Sequence, residues 1–157
     1  MGTRSAIGVM HGDKAKVVYC HWDGYLSHNG QILQDHYDSP KANHLVALGD
    51  LSVLGRNIEI PENVTHTFDN PADGFCVFYG RDREEEGCEF RVCQSDFELF
   101  DTYDDCEYFY IMKDGVWMVS QGPDSEWKLL SEALAEERDA AYKAPSITRL
   151  IGMGEEA

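Results

Sequence analysis

Asp114-Gly115 sits between two apolar-rich runs, Glu107 to Lys113 and Val116 to Gln121. A two-residue strand connection needs positive φ at both positions, which Asp-Gly accepts at little cost, so this segment is expected to be a β-hairpin. Its first strand carries Tyr108, Phe109, Tyr110, Ile111 and Met112 without alternation. A strand apolar on both faces is buried on both, which places it at the centre of a sheet with helices covering one side.

A second hairpin is expected from Arg4 to Met10 and Lys14 to Trp22, around His11-Gly12-Asp13. Closing it about Gly12 and Asp13 puts Arg4 across from His21 and diagonal to Asp23 on one face, with Val18, Cys20 and Trp22 on the other. Ser27 to Tyr37 has helical spacing interrupted by Gly30. Ser39-Pro40 starts a helix with Ser39 as N-cap, Gly49 stops it, and Ala42, Leu45, Val46 and Leu48 form its buried stripe. Arg56 to Ile60 reads as a strand ended by Pro61, and residues 63–74 read as a loop. Phe75 to Arg81 and Cys88 to Cys93 read as strands around an exposed charged tip, and Ser95 to Phe100 as one helical turn. Glu126 to Leu130 is either a third meander strand or the start of the last helix, Ser131 to Tyr142. The fold class expected is α+β: one domain over residues 1–143, an antiparallel sheet of hairpins and a meander against two or three helices. Residues 144–157 are a C-terminal tail.

Charge narrows the partners. The formal net charge is −16, and residues 81–157 carry 20 acidic and 8 basic side chains against 9 and 5 in residues 1–80. Such a chain repels phosphate backbones and anionic headgroups, so neither direct nucleic-acid binding nor a membrane surface is expected. A protein with a basic surface is attracted, and its encounter is accelerated. The same acidity also serves solubility alone. Within it, Asp96, Glu98, Asp101, Asp104, Asp105 and Glu107 place six carboxylates in twelve residues, interleaved with aromatics. They are the candidate partner-binding residues, and an ordinary negative loop is the competing reading.

Five cysteines without a C-x-x-C pair, no apolar leader in Met1 to Ser5, and no run near the roughly 18 apolar residues of a membrane helix point to a reduced cytosolic protein. Its cysteines are expected to be core residues. No metal and no cofactor are expected.

Gly2-Thr3-Arg4, Tyr19-Cys20-His21-Trp22-Asp23-Gly24-Tyr25, His36-Tyr37, Leu48-Gly49-Asp50-Leu51-Ser52 and Arg81-Asp82-Arg83 resemble a functionally uncharacterised family of small tailed-phage proteins. The resemblance covers the first half well and the acidic half loosely. It implies phage origin and expression in a bacterial cytoplasm, and no activity.

The candidate ligand site is Arg4, His21, Trp22, Asp23, Tyr25 and His36. An imidazole, a carboxylate and a guanidinium beside aromatic rings suit a nucleotide or another small anion carrying a ring. The competing reading is a structural ion pair of Arg4 with Asp23. His21-x-Asp23 with His36 or His66 also matches the pattern of a two-histidine, one-carboxylate iron site, but the chain offers fewer strands than a jelly roll needs. Cys20 cannot act with His21, because neighbouring strand residues face opposite ways. With no phosphate loop, G-x-S-x-G or H-E-x-x-H, no catalytic residue is named. The leading expectation is a non-catalytic binding protein that inhibits or redirects a host defence or nucleic-acid-handling factor. The alternative is a nucleotide-binding protein or small hydrolase.

Overall fold

The computed structural model describes residues 2–143, with side-chain surroundings through residue 140; the expected tail lies outside the described residues. Both hairpins form. β1 (Ser5–His11) pairs antiparallel with β2 (Lys14–Cys20) in the register set by Gly12 and Asp13, Ser5 opposite Cys20 and His11 opposite Lys14. β6 (Tyr108–Lys113) and β7 (Val116–Ser120) close on Asp114 and Gly115, both at positive φ.

Between the hairpins lie a π-helical turn (Leu26–Gly30), α1 (Gln31–His36), α2 (Ser39–Ala47), β3 (Leu51–Val53), β4 (Val77–Phe78), α3 (Tyr79–Arg83), β5 (Arg91–Cys93) and α4 (Asp96–Thr102). After β7 come β8 (Lys128–Leu129) and α5 (Leu130–Lys143), so the segment expected as either strand or helix is both in turn. The strands form one sheet in the order β4-β3-β2-β1-β6-β7-β8, and β5 also lies along β2. Most pairings are antiparallel, consistent with α+β. Two are parallel, β1 with β6 and β2 with β3, where only hairpins and a meander were expected.

Period-two alternation divides the sheet into two buried faces. Ile7, Val9, Val18, Cys20, Tyr110 and Met112 turn towards α1, α2 and α5, whose Leu33, Leu45, Val46, Leu130 and Leu134 complete the main core. The opposite face, with Ala6, Ala15, Val17, Phe109 and Ile111, is covered by α4 and its continuation through Leu99, Tyr103 and Cys106. Tyr110 is apolar payload on the main side, yet its hydroxyl still donates to the Gly24 carbonyl at 2.6 Å.

Four local expectations are corrected. Asp38, not Ser39, caps α2: its carboxylate accepts from the Lys41 amide at 3.1 Å, which puts Ser39 inside the helix. Arg56 to Ile60 makes a single bridge, Asn57 with Phe75, and the strand in this region is β3 instead. Phe75 to Arg81 and Cys88 to Cys93 do not pair with each other, since β4 pairs with β3 and β5 with β2. The charged tip is partly helix α3, because the Asp82 carboxylate accepts the Phe78 amide at 2.8 Å and stops the strand there.

Candidate functional site

Beyond Ser5 and Cys20 the strand pair opens into a mouth. The next residues are Arg4 and His21, both on the α4 side by alternation. Tyr19, on the same face, puts its hydroxyl 2.8 Å from His21 Nδ1. Burial pushes the Tyr19 phenol up to about 12, with Arg4 pulling against it and Asp105 adding to it. The phenol therefore keeps its proton near neutrality. Trp22 stands edge-on to His21 at 4.7 Å between ring centroids and is 41% exposed.

The diagonal partner is not Asp23. β2 ends at Cys20, and Asp23 adopts φ +57, so the strict alternation that would aim it at Arg4 is broken. Arg4 Nε instead lies 3.9 Å from Asp105 Oδ2 and has no hydrogen-bond acceptor of its own. One candidate ligand residue and one candidate partner residue are thus brought together. Gly24 follows because a Cβ there would stand 2.7 Å from that of Ser5. Tyr25 opens the π-helical turn, exposed, with its ring 6.0 Å from His28.

Asn29 fixes this turn and was not singled out from sequence. Fully buried, it directs Nδ2 at Ser5 Oγ (3.3 Å), Cys20 Sγ (3.4 Å) and the Trp22 carbonyl (3.3 Å). Its Oδ1 takes His28 Nδ1 at 2.9 Å. Much of the Tyr19 to Tyr25 string is accounted for by this architecture. His36 does not join it: α1 ends beside Gly115 and Val116, at the opposite end of the sheet.

The acidic run follows α4 along its face of the sheet. Ser95 caps α4, its Oγ accepting the Glu98 amide at 3.1 Å, and Glu98 Oε1 accepts the Gln94 amide just ahead of the cap at 2.7 Å. Glu98 is thereby committed to the helix start, where a partner-binding role was expected. Asp96 accepts the Trp127 indole N–H at 3.2 Å. Asp101, Asp104 and Glu107 are exposed and make no ion pair or side-chain hydrogen bond among the described residues. At the far end from Arg4, an apolar cleft of about 420 Å³ opens among Met10, Leu99, Ile111, Met118 and Trp127, with Asp13, Asp96 and Lys113 on its lining.

A second polar cluster lies off this face. His66, whose side chain is 1% exposed, accepts the Ala72 amide on Nδ1 at 2.9 Å and turns Nε2 to within 3.4 Å of Asp82. Asp82 also receives Arg81 Nε at 3.0 Å. Burial alone would raise the Asp82 carboxyl, but the Arg81 and Phe78 hydrogen bonds and nearby His66 hold it below its ordinary value. Arg81 is part of a buried anchor for the 63–74 loop, where an exposed tip was expected. Arg83 is half-exposed and pairs with Glu85.

All five cysteines are free thiols, and burial pushes Cys20 up to about 12, which makes it an inert core thiol. Among the described residues no three His, Cys, Asp or Glu side chains gather as a metal-ligand set, and no helix is long and apolar enough to cross a membrane. No family model matches the chain, and no curated protein or solved structure matches it either.

Proposed function

We propose that this is a small acidic binding protein of the tailed-phage type, acting in the host bacterial cytoplasm without chemistry of its own. It inhibits or redirects a host defence or nucleic-acid-handling factor by occupying that factor's basic surface. One observation carries the reading: the carboxylates at Asp101, Asp104 and Glu107 stand exposed and unneutralised among the described residues. Exposed charge of one sign accelerates encounter with a complementary surface and disfavours others. The test is capture of the partner from host lysate at rising salt, with the wild type and with Asp101→Lys/Asp104→Lys/Asp105→Lys. Binding is expected to weaken with salt and to be lost in the variant. Equal binding by the variant at physiological salt removes the reading.

The alternative, a nucleotide or other small anion at the mouth, is favoured by the acceptor-less Arg4 Nε and by the exposed indole of Trp22. A ligand that binds only the folded state raises the melting temperature, so a nucleotide panel read by thermal shift tests it. Against it stands Asp105, whose carboxylate already answers the Arg4 charge.

A further inference from the structure

The cleft at the start of α4 is built differently from the rest of the acidic side. Its floor is apolar, from Met10, Ile111 and Met118, and Leu99 and Trp127 line it as well. Trp127 is held rigidly: its ring stacks over Phe100 at 6.0 Å, Phe100 packs edge-on against Phe109 at 4.8 Å, and its N–H is bonded to Asp96. Two thioethers in the floor give an adaptable surface opposite that fixed aromatic wall. The volume of about 420 Å³ lies in the range of small-ligand pockets, which admits a large side chain with part of its backbone.

Charge selects what enters. Asp13 on the β1–β2 turn and Asp96 on α4 line the cleft, against one cation, Lys113, which is followed directly by Asp114. The acidic run continues from Asp96 towards Arg4, and Phe97, 79% exposed, lies on the same helix. An apolar centre within a negative rim is complementary to an apolar side chain within a positive one.

We infer that this cleft is the anchor site for the partner, and that its occupant is a protein segment with one large apolar side chain flanked by lysine or arginine. The inference rests on the binding-protein reading and names the feature that reading leaves open. The apolar residue fills the cleft and its basic neighbours reach Asp13 and Asp96. Further basic residues on the partner meet Asp101 and Asp104.

The experiment is a ¹H–¹⁵N titration of the full chain with nine-residue peptides whose central Leu, Phe or Trp is flanked on each side by two Lys or Arg. The Trp127 indole N–H and the Met10 and Leu99 amides are expected to shift together. The same peptide with a central Ala should bind at least tenfold more weakly, and one flanked by Glu should not bind. Met118→Lys, which sets an ammonium in the floor, should cost at least tenfold. Should it lower the melting temperature, the exposed turn variant Asp13→Lys serves in its place, with at least a threefold loss expected. The inference is overturned if no basic peptide moves the Trp127 indole at millimolar concentration, or if the Glu-flanked peptide binds equally well. It is also overturned if the cleft resonances move with the protein's own concentration as it sediments as a dimer, since a second copy is then the occupant. Partner capture that survives Met118→Lys and Asp13→Lys but fails in the acidic triple variant overturns the cleft alone and leaves the binding-protein reading standing.

Discussion

The Asp50 carboxylate accepts the Tyr19 amide at 2.9 Å, and with that bond a side chain stands in for a strand. Along its outer edge β2 is paired by β5 from Ala15 to Val17 and by β3 at Cys20. Tyr19 falls between them, and Asp50 fills the gap. Burial raises this carboxyl to about 6; the Tyr19 amide and Arg91 lower it, and Glu89 raises it further.

The pH dependence of stability follows from that elevation. A carboxyl whose folded-state pKa lies above its unfolded value of about 4 favours the folded state most when protonated. The contribution is fully present below about pH 4 and is lost as pH rises through about 6. Asp50 is partly exposed, so the loss is expected to be about 1–2 kcal/mol after solvent screening. Asp50→Asn keeps the acceptor and removes the titration. Urea melts of the two proteins from pH 4 to 8 should show a stability difference that grows with pH in favour of Asn.

Asp82 has the opposite sign. Its lowered carboxyl contributes stability above its unfolded pKa and loses it as pH falls through the depressed folded value. Asp82→Ala leaves the Phe78 amide and Arg81 Nε without their acceptor in a largely buried place, while the Arg81 bonds to the Ile58 and Cys76 carbonyls remain. A loss of about 3 kcal/mol is expected, read as a lowered denaturation midpoint with the slope unchanged.

Asn29→Ala removes the side chain that bonds to Ser5, Cys20 and the Trp22 carbonyl at once. Unsatisfied buried groups cost about 1–3 kcal/mol each, so a loss of about 2–3 kcal/mol is expected in equilibrium unfolding. The environment of Trp22 should change with it, seen in its indole resonance. An unmoved indole would show that the turn holds itself.

The acidic triple variant, by contrast, is expected to melt within a few degrees of the wild type. Asp101 and Asp104 are exposed, and Asp105, itself 55% exposed, makes only a long 3.9 Å contact with Arg4. Exposed pairs contribute under about 1 kcal/mol each. A large drop in melting temperature would mean that these carboxylates hold the fold, and binding data from the variant would lose their meaning.

What the sequence made legible was local chemistry. Asp114-Gly115 and Gly12-Asp13 set both hairpin registers, and the Ser39-Pro40 start and Gly49 stop bounded α2 to within a residue. What it hid depended on distant partners. Leu51 to Val53 is too short to announce itself and is a strand because Cys20 and Phe78 flank it. Alternation carried Asp23 towards Arg4 on paper, but the left-handed turn at Asp23 ends the alternation, and Asp105 arrives from the segment between α4 and β6. Tyr19 reads as an ordinary strand aromatic, and nothing in its neighbours foretells the bond to His21. Asn29 resembles a loop residue, and only its complete burial reveals its work.

The middle of the sheet has a consequence for the order of assembly. β1 and β6, paired in parallel with Ser5 beside Tyr108, are separated in the chain by every element from β2 to α4. As the chain leaves the ribosome at about 5–20 residues per second, the first hairpin is complete while its inner edge has no neighbour for several seconds. Closing so long a loop is slow, because its entropy is lost before the pairing rewards it. The backbone N–H and C=O groups along that edge of β1 spend the interval unpaired, a ready template for another chain. The newborn protein is therefore most prone to aggregate before Tyr108 emerges, and fragments ending ahead of β6 should partition into the insoluble fraction.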